Sequence, residues 1–127
     1  MTARIRIAVC DDARAVKYFL RTVLEEDGDM EVVSTSSSGN EALDSLAQCP
    51  ADILLLDLLL PDVPEPADLV AKIRRSWPSM AILLMSNMPP ARLEKEAERL
   101  ATDGWTPKAN KPAQLRASVR EIIAARA

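Results

Sequence analysis

The chain has 127 residues, about one domain, with 48% hydrophobic residues but only 3% aromatics, so aliphatic side chains have to fill its core. The net charge is −3 and no stretch is strongly basic, which argues against direct nucleic-acid binding. There is no histidine at all, so mechanisms that need an imidazole base or ligand are excluded.

Ile5 to Cys10 reads as a first strand that stops at Asp11-Asp12. From Ala13 to Glu26, Val16, Phe19, Leu20, Val23 and Leu24 recur at helical spacing, and Asp27-Gly28-Asp29 ends that helix. Met30 to Thr35 is a β-branched second strand. Ser38-Gly39-Asn40-Glu41 has capping-box spacing and leads into a stripe of Ala42, Leu43, Leu46 and Ala47. Ile53 to Leu56 is apolar at consecutive positions, as a strand buried on both faces requires. Pro61, Pro64 and Pro66 mark a loop, and Ala67 to Ser76 follows as a helix. Met80 to Met85 is a second continuous apolar strand closed by Ser86, and Pro89-Pro90 opens a charged helix to about Ala101. A short fifth strand is expected near Trp105-Thr106. Pro112 then starts a last helix with an apolar face of Leu115, Val119, Ile122 and Ile123.

Strands separated by helices of about ten residues imply right-handed crossovers and a parallel sheet covered on both faces. No linker or repeat interrupts the pattern, so residues 1–127 are expected to form a single domain. Cys10 and Cys49 lack CxxC spacing and read as two buried thiols in a reducing compartment. The N-terminal run lacks a signal-peptide core, and Ile53 to Leu60 is too short to span a bilayer. A cytoplasmic protein is expected.

In an open parallel sheet, ligands bind beyond the carboxyl ends of the strands. That rim gathers Asp11, Asp12, Asp57, Ser86 and Lys108. Three close carboxylates repel and call for a hard cation, for which Mg²⁺ is the fitting choice beside a phosphoryl group. Taken singly, Asp12 has an equal reading as a helix cap, Ser86 as a loop hydroxyl and Lys108 as a surface charge. Asp57 is different, because a carboxylate ending an apolar strand needs a partner or a function.

Asp11-Asp12, Asp57 with Pro61 four residues on, Ser86, Trp105 and Lys108 stand in the order and near the spacing of one family. The sequence resembles the receiver (CheY-like) domains of two-component response regulators over nearly its whole length. The resemblance implies a flavodoxin-like (βα)5 doubly wound sheet with strand order 2-1-3-4-5. It implies a phosphoryl group accepted on Asp57 from a sensor histidine kinase or a phosphotransfer protein. Asp12, Asp57 and the backbone carbonyl of Leu59 would ligate Mg²⁺, with Asp11 acting mainly through water. Ser86 and Lys108 would bind phosphoryl oxygens, and Ser86 and Trp105 would move as a switch that alters the face of the fourth helix, fifth strand and fifth helix. Homodimerisation through that face is a further implication.

Several positions depart from the family pattern. The loop after Pro61 reads Asp62-Val63-Pro64-Glu65-Pro66, with no glycine for a positive φ. Asn87 stands where a small residue is usual, which would narrow access to Asp57. Ala109 follows Lys108 instead of proline, and Pro107 precedes it. Leu59 and Met88 are bulky and apolar where an attacking water would pass, so a long-lived phosphoryl group is expected. A second functional class is a receiver-fold interaction module that phosphorylation does not regulate. An aspartate-nucleophile phosphatase is disfavoured, because Leu59 replaces the acid that such enzymes place two residues after the nucleophile. The chain is therefore not expected to be an enzyme beyond catalysing its own phosphoryl transfer and slow hydrolysis. The three arginines of the last helix, Arg116, Arg120 and Arg126, read as a solvated face or as the start of a linker. The output stays open, as either a stand-alone regulator or the receiver of a longer one.

Overall fold

The computed structural model describes residues 3–126; of the N-terminal run read above, Met1 and Thr2 lie outside the described residues, as does Ala127. Strands and helices alternate as β1 (Ile5–Cys10), α1 (Arg14–Glu25), β2 (Met30–Ser36), α2 (Gly39–Gln48), β3 (Ile53–Asp57), α3 (Pro66–Ser76), β4 (Ala81–Ser86), α4 (Pro90–Leu100), β5 (Gly104–Pro107) and α5 (Pro112–Arg126). The strands pair in parallel in the order β2-β1-β3-β4-β5, which is the flavodoxin-like arrangement. The chain order reverses between β1 and β3, so the carboxyl ends of these two strands flank the switch point. Among the described residues, no helix is long and apolar enough to cross a membrane.

β3 and β4 are apolar up to their last residues because each face of the sheet has its own core. Leu54 and Leu56 point into a cluster with Ala42 and Leu46 of α2, Leu69 and Ile73 of α3, and Leu93 and Ala97 of α4. Ile53 and Leu55, on the opposite pleat, join Leu20 and Leu24 of α1 and Leu115 and Val119 of α5. Removing one of these leucines leaves a cavity under a helix on one face only.

Small differences from the sequence reading have local causes. α3 starts at Pro66 rather than Ala67, because proline suits the first helical position and Glu65 caps the helix from its side chain. Met80 belongs to a turn, its N–H donating to the Trp77 carbonyl at 3.1 Å, and β4 runs on to Ser86, which aligns with Pro107. Phe19 and Ala47 flank their helical stripes and are exposed. Cys10 is buried, but Cys49 ends α2 at the sheet's lower rim and is only half-buried, with Arg6 Nη2 donating to its Sγ at 3.4 Å.

The arginines of α5 are all ion-paired, although Arg126 stays exposed. Arg116 pairs with Glu26 at 3.1 Å, and Arg120 with Asp27 and Asp29 at 2.8 Å each, tying α5 to the turn after α1. Arg126 reaches Asp103 at 2.7 Å. Asp103 also accepts from the Ile82 N–H at 2.8 Å and from Arg74 at 2.9 Å, so one carboxylate joins α3, β4 and α5 at the start of β5. Burial works to raise its pKa, but the Ile82 N–H and the two guanidiniums outweigh that and hold it below the usual aspartate range. Its stabilisation is therefore complete above the unfolded-chain value of about 3.9 and is lost as pH falls through the lower folded value. Asp103→Ala is expected to lower unfolding stability by about 1.5–3 kcal/mol at neutral pH. In urea titrations the gap between variant and parent should shrink below about pH 4; equal midpoints at pH 7 would show that the carboxylate carries no such load.

Candidate functional site at the carboxyl rim

β1, β3, β4 and β5 each deliver one part of the site as they end. Asp11, fully buried just past β1, accepts from the Ala13 N–H through Oδ1 at 2.8 Å, which aims Oδ2 into the rim. Asp57 is the last residue of β3 and is 4% exposed; its Oδ1 accepts from the Leu59 N–H at 3.1 Å. Ser86, the last residue of β4, is buried on the neighbouring strand, one position beyond Met85, which aligns with Asp57. Its Oγ accepts from the Met88 N–H at 3.2 Å. Lys108 follows β5, its N–H donating to the Ser86 carbonyl at 3.0 Å.

The Lys108 ammonium lies 2.7 Å from Asp11 Oδ2 and 3.2 Å from Asp57 Oδ2, bridging the two buried acids. Burial works against the charge on Lys108, but Asp11 and Asp57 together outweigh it and raise its pKa above the ordinary lysine value. Burial pushes the Asp57 carboxyl up, with the Leu59 N–H and Lys108 offsetting part of that rise. Asp12 is exposed beside them, and one carboxylate oxygen from each of Asp11, Asp12 and Asp57 lies within 4.8 Å of the others. Asp11 Oδ2 receives no well-aligned hydrogen bond despite its ion pair, so a buried anionic oxygen keeps acceptor capacity toward the cluster. Such an all-oxygen donor set, one member exposed and one under-satisfied, fits a hard divalent cation that keeps some of its water. Asp11, Asp12, Asp57 and Lys108 thus lie together at the rim. Trp105 stands further off, half-buried in β5 against the α2–α4 side of the core. Leu59 is 67% exposed, and Met88 is half-buried.

The atypical loops have physical accounts. Asp62 accepts from the Gly39 N–H at 2.9 Å and the Asn40 N–H at 3.1 Å, clamping the loop after Asp57 onto the start of α2. Those two bonds lower its pKa. Gly39 is what allows the approach: a Cβ there would come 2.6 Å from Val63 Cγ2. The missing glycine of the loop has, in effect, moved to its partner. After β5, Asn110 replaces a Lys–Pro turn, its N–H donating to the Pro107 carbonyl at 3.1 Å and its Nδ2 to Thr106 Oγ1 at 3.0 Å. Since Lys108 N–H faces β4, strand alternation turns Pro107 nitrogen to the free edge, where no ladder bond is lost. Asn87 is exposed and makes no side-chain hydrogen bond among the described residues.

Thr106 went unnoticed in the sequence. It is 2% exposed, directly before Pro107, and anchors the loop that carries Lys108. A hydroxyl in a four-residue strand gives no periodic signal, and only the position before Pro107-Lys108 hinted at it.

The family model for the response regulator receiver domain matches residues 7–120. The oxygen regulatory protein NreC of Staphylococcus aureus is 29% identical over 120 residues, covering 93% of this chain and 54% of NreC, so the chain spans about half of that relative's length. In structure, the chain resembles a LuxR-family two-component response regulator from Aurantimonas (TM-score 0.86, 24% identity, 97% of this chain and 87% of that one). It also resembles a CheY-like receiver domain protein from Methanospirillum hungatei (TM-score 0.83, 20% identity, 98% and 97%). With the family match running from β1 into α5 and the strand order in agreement, the chain belongs to the response regulator receiver domain family.

Proposed function

We infer that this receiver accepts a phosphoryl group on Asp57 and uses it to switch a surface read by a partner. The observation that carries this reading is the buried Asp57 carboxylate, held between Lys108 and the acidic cluster at the switch point of the sheet. The donor is a phosphohistidine on a sensor kinase or phosphotransfer protein. In the transfer, the donor phosphorus–nitrogen bond breaks as a bond from phosphorus to an Asp57 oxygen forms. The imidazole keeps the electron pair and takes up a proton.

Asp11, Asp12, Asp57 and the Leu59 carbonyl are the groups that would hold Mg²⁺, which would offset charge on the incoming phosphoryl group. Burial makes Asp57 a more basic oxygen nucleophile than a solvated aspartate. The Leu59 N–H orients its carboxylate, and Lys108 is placed to take a phosphoryl oxygen in exchange for one of its present contacts. Ser86 lies one residue along the adjacent strand and supplies a hydroxyl for another. Its shift, with Trp105 following, would alter the surface of α4, β5 and α5. Two copies pairing through that surface is the output this reading favours.

Purified chain incubated with Mg²⁺ and acetyl phosphate is expected to gain a single phosphoryl group by intact mass, with a change in tryptophan fluorescence that needs both reagents. No mass gain together with no Mg²⁺ effect on fluorescence or melting would overturn the reading. One observation favours the second class, the interaction module without phosphorylation: Lys108 already bridges two of the acids and offsets part of their charge without a metal. The same Mg²⁺ measurement separates the two.

Leu59 and Met88 bear on lifetime. Both are apolar and flank the approach to Asp57 and Ser86, so neither can position a water. Leu59→Asn with Met88→Glu is expected to shed its phosphoryl group about tenfold faster, a barrier change of about 1.4 kcal/mol. Decay at the parent rate would refute that role.

A further inference from the structure

The loop from Asp57 to α3 is tied to α2, α3 and α4. Leu58 and Leu60 are both buried in the α2–α4 side of the core, while Leu59 between them faces solvent. The Leu59 N–H holds Asp57 Oδ1 at 3.1 Å, and the carbonyl of the same residue is one of the groups that would hold Mg²⁺. The Val63 N–H then donates to the Leu60 carbonyl at 3.1 Å, closing a turn with Pro61 in second place. At the far end, Glu65 Oε1 accepts from the Ala67 N–H and from Arg99 of α4, each at 3.1 Å.

Asp62 supplies the tie to α2, and it does so with both carboxylate oxygens. Oδ1 takes the Gly39 N–H and Oδ2 the Asn40 N–H, two of the donors that a helix start leaves open. The next N–H, that of Glu41, goes to Ser38 Oγ from the helix's own cap. α2 is anchored in turn by Ala42 and Leu46, each 1% exposed. Beside the two bonds, Val63 packs so closely on Gly39 that a Cβ there would lie 2.6 Å from Val63 Cγ2. Asp62 is exposed and stands outside the acid cluster of Asp11, Asp12 and Asp57. What it fixes is the path of the loop, three residues after Leu59.

We propose that Asp62 is a positioning residue for the phosphoryl-transfer site. Through its two bonds and the Val63–Gly39 contact, α2 sets where the Leu59 carbonyl stands, and with it the affinity of the rim for Mg²⁺. This assignment rests on the phospho-acceptor reading. Groups that aim a metal's ligands change metal affinity about 10–100-fold when removed, although they never touch the ion. A backbone carbonyl needs such support more than a carboxylate does, because it has no side-chain torsion and moves only with the loop. A plain helix cap makes a different demand: it requires the carboxylate and is indifferent to the fit between Val63 and Gly39.

Four chains test this: Asp62→Ala, Gly39→Ala, Val63→Ala, and Gly39→Ala together with Val63→Ala. Mg²⁺ is titrated against each, read by tryptophan fluorescence and by the rise in melting temperature that bound metal gives. Asp62→Ala and Gly39→Ala are expected to bind Mg²⁺ about tenfold more weakly than the parent. The branched side chain of Val63 is stiff, so the methyl added by Gly39→Ala displaces the loop. Trimming Val63 in the double variant should bring affinity back to within about twofold of the parent, the non-additivity expected of two groups in contact. Labelling by acetyl phosphate should be slower in both weakened chains at limiting Mg²⁺ and equal to the parent at saturating Mg²⁺. Parent affinity in Asp62→Ala overturns the proposal. Parent affinity in Gly39→Ala does so too, since Asp62 would then act only through its charge or as a cap, and so does a loss in Gly39→Ala that Val63→Ala fails to rescue. A parent chain that neither binds Mg²⁺ nor takes the phosphoryl group overturns the acceptor reading itself, and the positioning role with it.

Discussion

Asp57→Asn is expected to gain no phosphoryl group from acetyl phosphate or any kinase, under conditions that convert the parent chain fully. The substitution keeps shape and the Leu59 N–H bond but removes the anionic oxygen that must bond to phosphorus. It also removes one of the three carboxylates of the cluster, so Mg²⁺ affinity should fall too. The folded chain should not suffer. One of two buried acids facing Lys108 is neutralised, and the desolvation of Asp57 that raises its pKa disappears with its charge. Intact mass, Mg²⁺ titration and urea unfolding on one preparation check all three statements. A phosphoryl group found on Asp57→Asn would mean that another residue is the acceptor, with exposed Asp12 the first to examine.

Lys108→Ala should produce the largest change in stability and an opposite response to metal. Removing the ammonium leaves Asp11, fully buried, and Asp57, 4% exposed, facing each other without the cation that bridges them. An uncompensated buried charge of this kind costs about 3–5 kcal/mol. In EDTA the variant is therefore expected to unfold at much lower urea. Added Mg²⁺ should restore most of the loss, because a divalent cation then has no competitor for the two carboxylates. Mg²⁺ affinity should exceed that of the parent even as phosphoryl acceptance drops by about 10²-fold, since a preorganised cation has been lost from the reacting centre. Stability equal to the parent in EDTA would show that Lys108 contributes little to holding the acids together.

The fold was legible because each element carried two agreeing signals. β3 and β4 were apolar at every position before their final Asp57 and Ser86, which only a strand between two helical layers can bury. The helices had a clear stop at Gly28 and a clear start at the Pro89-Pro90 pair, and boundaries moved by a residue where a cap or a turn decided them, as at Pro66 and Met80. The site residues were legible because a parallel sheet sends every strand's carboxyl end to one rim. Their pairings were not. That Lys108 bridges Asp11 and Asp57, and that Asp62 reaches Gly39, depends on loop paths that no periodicity encodes. The ion pairs of the α5 arginines were hidden for the same reason: the partners of Arg116 and Arg120 lie some ninety residues away after α1 and that of Arg126 lies at the start of β5, while helical spacing sees only neighbours on the same helix.

The backbone of β5 carries a consequence for self-association. A strand at the border of a sheet is an invitation to any passing strand, and proteins with exposed borders risk growing by sheet extension. Here the border is four residues long, and of its two outward-facing nitrogens, those of Trp105 and Pro107, only one bears a hydrogen. A second copy laid alongside would find a single donor and then a ring. Whatever pairs two copies across this side has to be built from the side chains of α4 and α5, which can be altered one at a time, and not from the main chain.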